Sequence, residues 1–282
     1  MRTPPYFPVA LTIAGSDSGG GAGIQADLRA FRAFHVHGCS AITALTAQNP
    51  HGVRRIQATD PAVLRDQLLC VAEDFAVSAI KTGMLMDAER IQVVADCLPA
   101  FGAVPRVIDP VMVATSGATL LAADAVESLI TRILPGAALV TPNLPESNVL
   151  LGLPATHPIT EPMTHCRAIF ERHHVPILLK GGHNPDQTAT DFLMDADGSL
   201  WEIRSPIVAQ PLTTHGTGCS LSAAVAANLA RGIPLLEAIC QAKAWVYALL
   251  TAGVQAGNAA VYGIESPEPP HHLVTCRALS SR

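Results

Sequence analysis

Val9-Ala-Leu-Thr-Ile-Ala14 runs directly into Gly15-Ser-Asp-Ser-Gly-Gly-Gly-Ala-Gly23 and then into Ile24-Gln-Ala-Asp27, and from this stretch the rest of the chain can be read. The first run is apolar or β-branched throughout and fits a strand buried on both faces. The glycine cluster closes it, and the residues from Ile24 to Phe34 have helical spacing. The same alternation recurs. Apolar runs at Ser40–Ala47, Ser78–Lys81, Arg106–Ile108 and Leu139–Thr141 are separated by helical patterns at Pro61–Phe75, Ala88–Leu98 and Ala122–Ile133. A helix at Met163–His173 leads to a strand at Pro176–Lys180, and Asp191–Met194 and Leu200–Ile203 flank Asp-Ala-Asp-Gly as a hairpin. Two helices follow, one from about Gly216 to before Gly232 and one over Leu235–Thr251, and the Pro-rich tail from Ser266 is expected to fray. Strands joined by helices of this length imply right-handed crossovers and a mostly parallel sheet covered on both faces. The expected fold is therefore a three-layer α/β/α sandwich. No linker divides the chain, so a single domain over 1–282 is expected, with ligands at the carboxyl ends of the strands.

Composition removes several classes of function. Of the 282 residues 49% are hydrophobic and 15% are charged, which is too apolar for a disordered chain. Lys and Arg number 18 against 23 Asp and Glu, a net charge of −5 with no basic cluster, and this argues against a nucleic-acid binder. The N-terminal apolar stretch is interrupted by Ser16 and Asp17 and preceded by Pro4, Pro5 and Pro8, so neither a signal peptide nor a membrane span fits and a cytoplasmic location is expected. The 7 cysteines are scattered without a C-x-x-C pair and read as reduced thiols. The 11 histidines show no ligand spacing, and no metal is assigned to them.

Most motifs with chemical content sit just after a strand. The Gly15–Gly23 loop would bring backbone N–H groups close to a ligand at a helix N-terminus, although a plain surface turn has the same composition. It lacks the Lys-Ser/Thr of a P-loop and the acidic residue of a dinucleotide fingerprint. In Thr214-His-Gly-Thr-Gly-Cys219 the glycines precede a helix of small residues. Free amides at Gly216, Thr217, Gly218 and Cys219 would form an anion hole, and the helix N-terminus would favour a Cys219 thiolate able to take a proton. A buried structural cysteine is the other reading. Asp109 in Asp109-Pro-Val-Met112 and Glu146 in Thr141-Pro-Asn-Leu-Pro-Glu146 could share one Mg²⁺ with nucleotide phosphates, or merely cap a turn and a helix. Lys180 could meet a phosphate as a point charge or simply end its strand in solvent, and Lys81-Thr-Gly-Met-Leu85 repeats that arrangement with Met84 either offered to a ring or filling the core. Gln48 and Asn49 have the donors and acceptors needed to read a heterocycle, or merely cap their strand. There is no G-x-S-x-G elbow for a serine hydrolase.

Taken together, GAGIQAD, ITALTAQN (Ile42–Asn49), KTGML, DPVM with ATSG (Ala114–Gly117), TPNLPE, LLKGGH and HGTGCSLSAA resemble the hydroxymethylpyrimidine/phosphomethylpyrimidine kinases of thiamine biosynthesis, in the ribokinase-like superfamily. The resemblance covers roughly Val9 to Ala252. It implies phosphorylation, with ATP and Mg²⁺, of the 4-amino-5-hydroxymethyl-2-methylpyrimidine alcohol and then of the monophosphate, by a homodimer. It implies Cys219 as general base, Gly216, Thr217 and Gly218 as anion hole, Gln48 as the pyrimidine reader, and Gly15, Ala22, Asp27, Met84 and Val111 around the ring. It also places Asp109 and Glu146 at Mg²⁺ and phosphate, and Lys180 at the nucleotide. Asn258–Ile264 matches the family's closing segment poorly. A pyridoxal kinase of the same superfamily, a silent ligand-binding relative and, more remotely, an NAD-dependent oxidoreductase are the competing readings.

Overall fold

The computed structural model describes residues 7–112, 121, 124–183, 188–263 and 267–279, with only the backbone of Gly182 and His183. The chain begins with β1 (Val9–Asp17), α1 (Gly23–Ala33), β2 (His37–Asn49), β3 (Gly52–Ala58), α2 (Pro61–Asp74), β4 (Val77–Thr82), α3 (Ala88–Cys97) and β5 (Arg106–Ile108). It continues through α4 (Ala125–Ser128), β6 (Leu139–Val140), α5 (Leu144–Leu150), α6 (Pro162–His173), β7 (Ile177–His183), β8 (Thr188–Met194) and β9 (Leu200–Pro206). It closes with α7 (Thr217–Ala230), α8 (Leu235–Thr251), a small hairpin of β10 (Val254–Ala256) and β11 (Ala259–Val261), and β12 (Thr275–Leu279).

Ten strands form one sheet in the order β12-β9-β8-β7-β6-β5-β4-β1-β2-β3. The stretch from β2 to β7 is parallel, and β3, β8, β9 and β12 add antiparallel margins. Both faces are covered, as the near-continuous apolar strands require. Leu11, Ile13, Ile80, Ile108 and Val140 pack on one side with residues of α2, α3, α5 and α6. Ala10, Val107, Leu139 and Leu178 pack on the other with α1, α7 and α8. Alanines let α7 lie close: Ala223, Ala224, Ala226 and Ala227 have no exposed surface. The expected α/β/α sandwich is thus the architecture found.

Four readings need correction. β3 was not foreseen, because Gly52-Val-Arg-Arg-Ile-Gln-Ala58 is an edge strand with Arg54 and Arg55 in solvent and lacks a buried face to pattern it. The tail does not fray throughout: β12 pairs antiparallel with β9, Leu279 lying opposite Leu200. Cys240 on α8 and Cys276 on β12 form a disulfide, so the expectation of reduced thiols fails for that pair; a separation of 36 residues hides such a contact from sequence. The fourth helical stretch is α-helical, among the described residues, only over Ala125–Ser128. Its described part begins at Ala125, and a wide π-type turn follows over Leu129–Ile133. Ala114–Gly117 lies outside the described residues.

Candidate active site

Strand order reverses at β1, with β2 on one side and β4 on the other, so the crossovers diverge there and leave a cleft at the strands' carboxyl ends. A cavity fills that cleft. Gly15, Ala22, Gln48, Met84, Val111 and Cys219, all predicted from sequence, line it together with Lys81 and Asp17. Val111, which lines the cavity, holds φ +32°, an unfavourable conformation for a β-branched residue.

Asp27 departs from its expected place. It has no exposed surface, does not line the cavity, and accepts hydrogen bonds from Lys81 Nζ at 2.9 Å and Thr12 Oγ1 at 2.5 Å. Lys81, equally buried, is the residue that reaches the cavity. Burial disfavours the Lys81 charge, but the Asp27 carboxylate with Cys219 and Asp109 outweighs it and holds the ammonium above its ordinary pKa. Burial raises the Asp27 carboxyl, against the pull of Lys81.

The glycine loop is held by its own acid. Asp17 Oδ1 accepts from the Gly19 amide at 2.8 Å, and Oδ2 accepts from Gly21 at 3.1 Å and Ala22 at 2.9 Å. An acid just ahead of a glycine run is a local signal for such a turn. No motif in the sequence assigns Asp17 a role. His215 Nε2 reaches the same Oδ2 at 3.0 Å. Burial works against the Asp17 charge, but the bonds from His215, Ala22 and Gly19 bring its carboxyl below the usual range. Arg29 Nη1 donates back to Gly20 O at 2.5 Å, and Tyr262 donates its hydroxyl to His215 O at 2.5 Å. The poorly matched closing segment therefore comes to the site after all. The two glycine motifs touch: Gly216 has φ +83°, and a Cβ there would collide with the Gly21 carbonyl oxygen.

A charged cluster adjoins the cavity. Lys180 Nζ lies 3.1 Å from Asp109 Oδ1, Ser222 Oγ donates to Asp109 Oδ2 at 3.2 Å, and Thr141 Oγ1 donates to Oδ1 at 3.4 Å. A Cβ on Gly218 would come within 3.4 Å of Lys180 Nζ and 4.0 Å of Asp109 Oδ2, so the start of α7 abuts both charges. Glu146 accepts from the amides of Asn143 at 2.9 Å and Met112 at 3.2 Å, and with Asn143 forms a capping box on α5. Burial raises the Glu146 carboxyl; Lys180 opposes this and Asp109 adds to it, which places the three charges in one field. Behind them Lys243 Nζ pairs with Asp191 Oδ2 at 2.5 Å, and Asp191 Oδ1 accepts from the Gly181 amide at 3.1 Å.

Two expectations about α7 change. The Thr217 amide donates to Thr214 O at 3.3 Å and is not free. Gly218 and Cys219, in the first turn, keep amides without a carbonyl inside the helix. Nor is Cys219 a ready thiolate: burial pushes its thiol up to about 11, with Lys81 pulling down and Asp27 and Asp109 pushing up. The helix N-terminus and Lys81 are outweighed by desolvation. Mass-resolved alkylation of Cys219 should accordingly quicken about tenfold per pH unit from 7 to 10; a plateau below pH 8 would show the thiol to be activated at rest.

A switch-point cavity, a cysteine at a glycine-led helix start and a lysine–carboxylate cluster beside it define a ribokinase-like phosphotransferase. The profile of the phosphomethylpyrimidine kinase family matches residues 17–263, and the chain belongs to that family. It is 46% identical over 244 residues, 86% of this chain and 91% of the other, to the hydroxymethylpyrimidine/phosphomethylpyrimidine kinase of Rhizobium meliloti (strain 1021). Among solved structures it resembles the phosphomethylpyrimidine kinase of Clostridium difficile 630, with TM-score 0.70 and 35% identity, covering 84% of this chain and 97% of that one. It also resembles the pyridoxal kinase of Staphylococcus aureus in complex with AMP-PCP and pyridoxal, with TM-score 0.82 and 29% identity, covering 98% and 100%. Among the described residues no helix is long and apolar enough to cross a membrane.

Proposed function

We propose that this single-domain kinase uses ATP to phosphorylate 4-amino-5-hydroxymethyl-2-methylpyrimidine and then phosphorylates the monophosphate to the diphosphate. One observation carries the reading: Cys219 lines the cavity while its neighbour Gly218 abuts Lys180 and Asp109. Acceptor and donor sites then meet at one residue boundary. In-line transfer asks for little covalent chemistry and mainly for positioning and charge neutralisation. The pyrimidine would lie between Met84, Val111 and Gln48, with its alcohol toward Cys219 Sγ. The γ-phosphoryl would face Lys180 and the amides of Gly218 and Cys219. As the new O–P bond forms and ADP leaves, the alcohol proton passes to a Cys219 thiolate.

Among the described residues no three acidic, His or Cys side chains gather as a metal cage. That fits Mg²⁺, which binds through one or two carboxylates with the nucleotide's own phosphates. Asp109 and Glu146 would hold it, directly or through water. When bound, Mg²⁺ neutralises charge on the transferring phosphates. The family resemblance further supports a homodimer.

The likeness to a pyridoxal-bound kinase at TM-score 0.82 keeps a second reading in view. Incubation with ATP, Mg²⁺ and either hydroxymethylpyrimidine or pyridoxal, followed by mass, separates them. The expected products are the pyrimidine monophosphate and then its diphosphate. A pyridoxal monophosphate with no pyrimidine diphosphate would overturn the proposal.

A further inference from the structure

The ring nitrogen His215 Nε2 faces two partners at once. It stands 3.0 Å from Asp17 Oδ2 and, as the amide is placed, 3.3 Å from Nε2 of Gln48, the residue at the cavity that reads the heterocycle in the function proposed above. Asp17 Oδ2 already accepts from the amides of Gly21 and Ala22, so it is an acceptor only. Nε2 must therefore carry a hydrogen, whatever the state of Nδ1. That single hydrogen is shared between Asp17 Oδ2 and the Gln48 amide, and an NH₂ turned to it sets donor against donor. Oxygen and nitrogen of an amide differ little in shape, and the network decides which faces where.

We infer that Asp17 and His215 form a positioning pair that fixes Gln48 with its oxygen toward His215 and its nitrogen toward Thr46. The rest of the network accepts this arrangement. As placed, Gln48 Oε1 is 3.2 Å from Thr46 Oγ1, whose one hydrogen goes to Ser16 O at 3.0 Å, so acceptor faces acceptor there until the amide is turned over. Thr46 Oγ1 is then an acceptor for one Gln48 N–H, and every hydrogen in the chain has a partner. One N–H of Gln48 and a lone pair of its oxygen remain for the ligand. With the opposite orientation the two atoms would exchange places, presenting a mismatched edge to an aminopyrimidine. A site built for specific hydrogen bonds rejects a mismatched edge by leaving polar atoms unpaired. His215 thus acts through Gln48, and the Asp17 that folds the glycine loop also sets ring selectivity.

The inference rests on the proposed pyrimidine kinase, but its first test does not. In ¹⁵N-labelled ligand-free protein near neutral pH, His215 Nε2 should give the shift and one-bond proton coupling of a protonated ring nitrogen. An unprotonated Nε2 overturns the inference. The second test compares kcat/KM for hydroxymethylpyrimidine with that for pyridoxal. His215→Gln places an amide donor near the Nε2 position and should keep the wild-type ratio within about threefold. His215→Met fills similar space without a donor and should lower the ratio at least about tenfold. Equal ratios in both variants, or equal loss in both, overturn the inference. Should His215→Met fail to fold, the nitrogen shifts still decide. Should the wild-type protein leave hydroxymethylpyrimidine unphosphorylated, the function proposed above fails while those shifts still test the pair.

Discussion

Cys219→Ala should slow the first phosphoryl transfer, to the alcohol, by about 10²–10³-fold and leave the second within about threefold. An alcohol must lose its proton as it becomes a nucleophile. The monophosphate already offers an anionic oxygen and needs no base. Because desolvation holds the Cys219 thiol at about 11, the catalytic thiolate is a minor species at neutral pH, and its share grows about tenfold for each unit of pH below that value. The wild-type first transfer should therefore climb with pH between 6 and 9, whereas the Cys219→Ala rate should stay nearly flat. Single-turnover kinetics with each substrate supplied separately, across that pH range, measures both effects. Equal losses in the two transfers, or a wild-type first step that ignores pH, would falsify the role of sulfur as base and leave Cys219 as a wall of the cavity. KM for the pyrimidine should change little in either case, since the proposed anchoring contacts are Gln48 and Met84.

The parallel core and the place of the site were legible because burial on both faces writes itself into sequence. β1 and β4 are apolar runs, and each motif that follows a strand ends at the same edge of the sheet. Edge elements carry no such demand. β3 needs no apolar face, and β12 gains its order from β9, 75 residues away at the Glu202–Arg277 ion pair. Within the site, residue types and spacing named the lining but not its internal chemistry. A glycine turn before a helix suggests an acidic thiol at Cys219, and only the packing around it reveals the opposing desolvation. Asp17 and His215 are separated by 198 positions, and no local pattern joins them. The family resemblance places Asp27 at the ring, yet its carboxylate is spent on Lys81 and Thr12.

That spent carboxylate carries the largest expected effect on stability. Asp27→Asn keeps the shape of the side chain but leaves the Lys81 ammonium, with no exposed surface, beside a neutral amide that must turn an NH₂ toward either Lys81 or Thr12. Breaking one partner of a buried pair costs about 3–5 kcal/mol, which for a chain of this size lowers Tm by about 10 °C. Replacing both partners, Asp27→Leu with Lys81→Met, removes both charges and should restore most of that stability. Activity should not return with it. Lys81 lines the cavity and is the positive charge that pulls the Cys219 thiol down, so without it the thiol should lie still higher and alkylation at a fixed pH should slow. Urea unfolding of the two variants, paired with the alcohol-transfer rate of the double variant, separates the two roles. Recovery of both stability and rate would show the ion pair to be only a packing device. Recovery of stability alone would mean that the fold tolerates a costly buried pair because the ammonium is needed at the cavity.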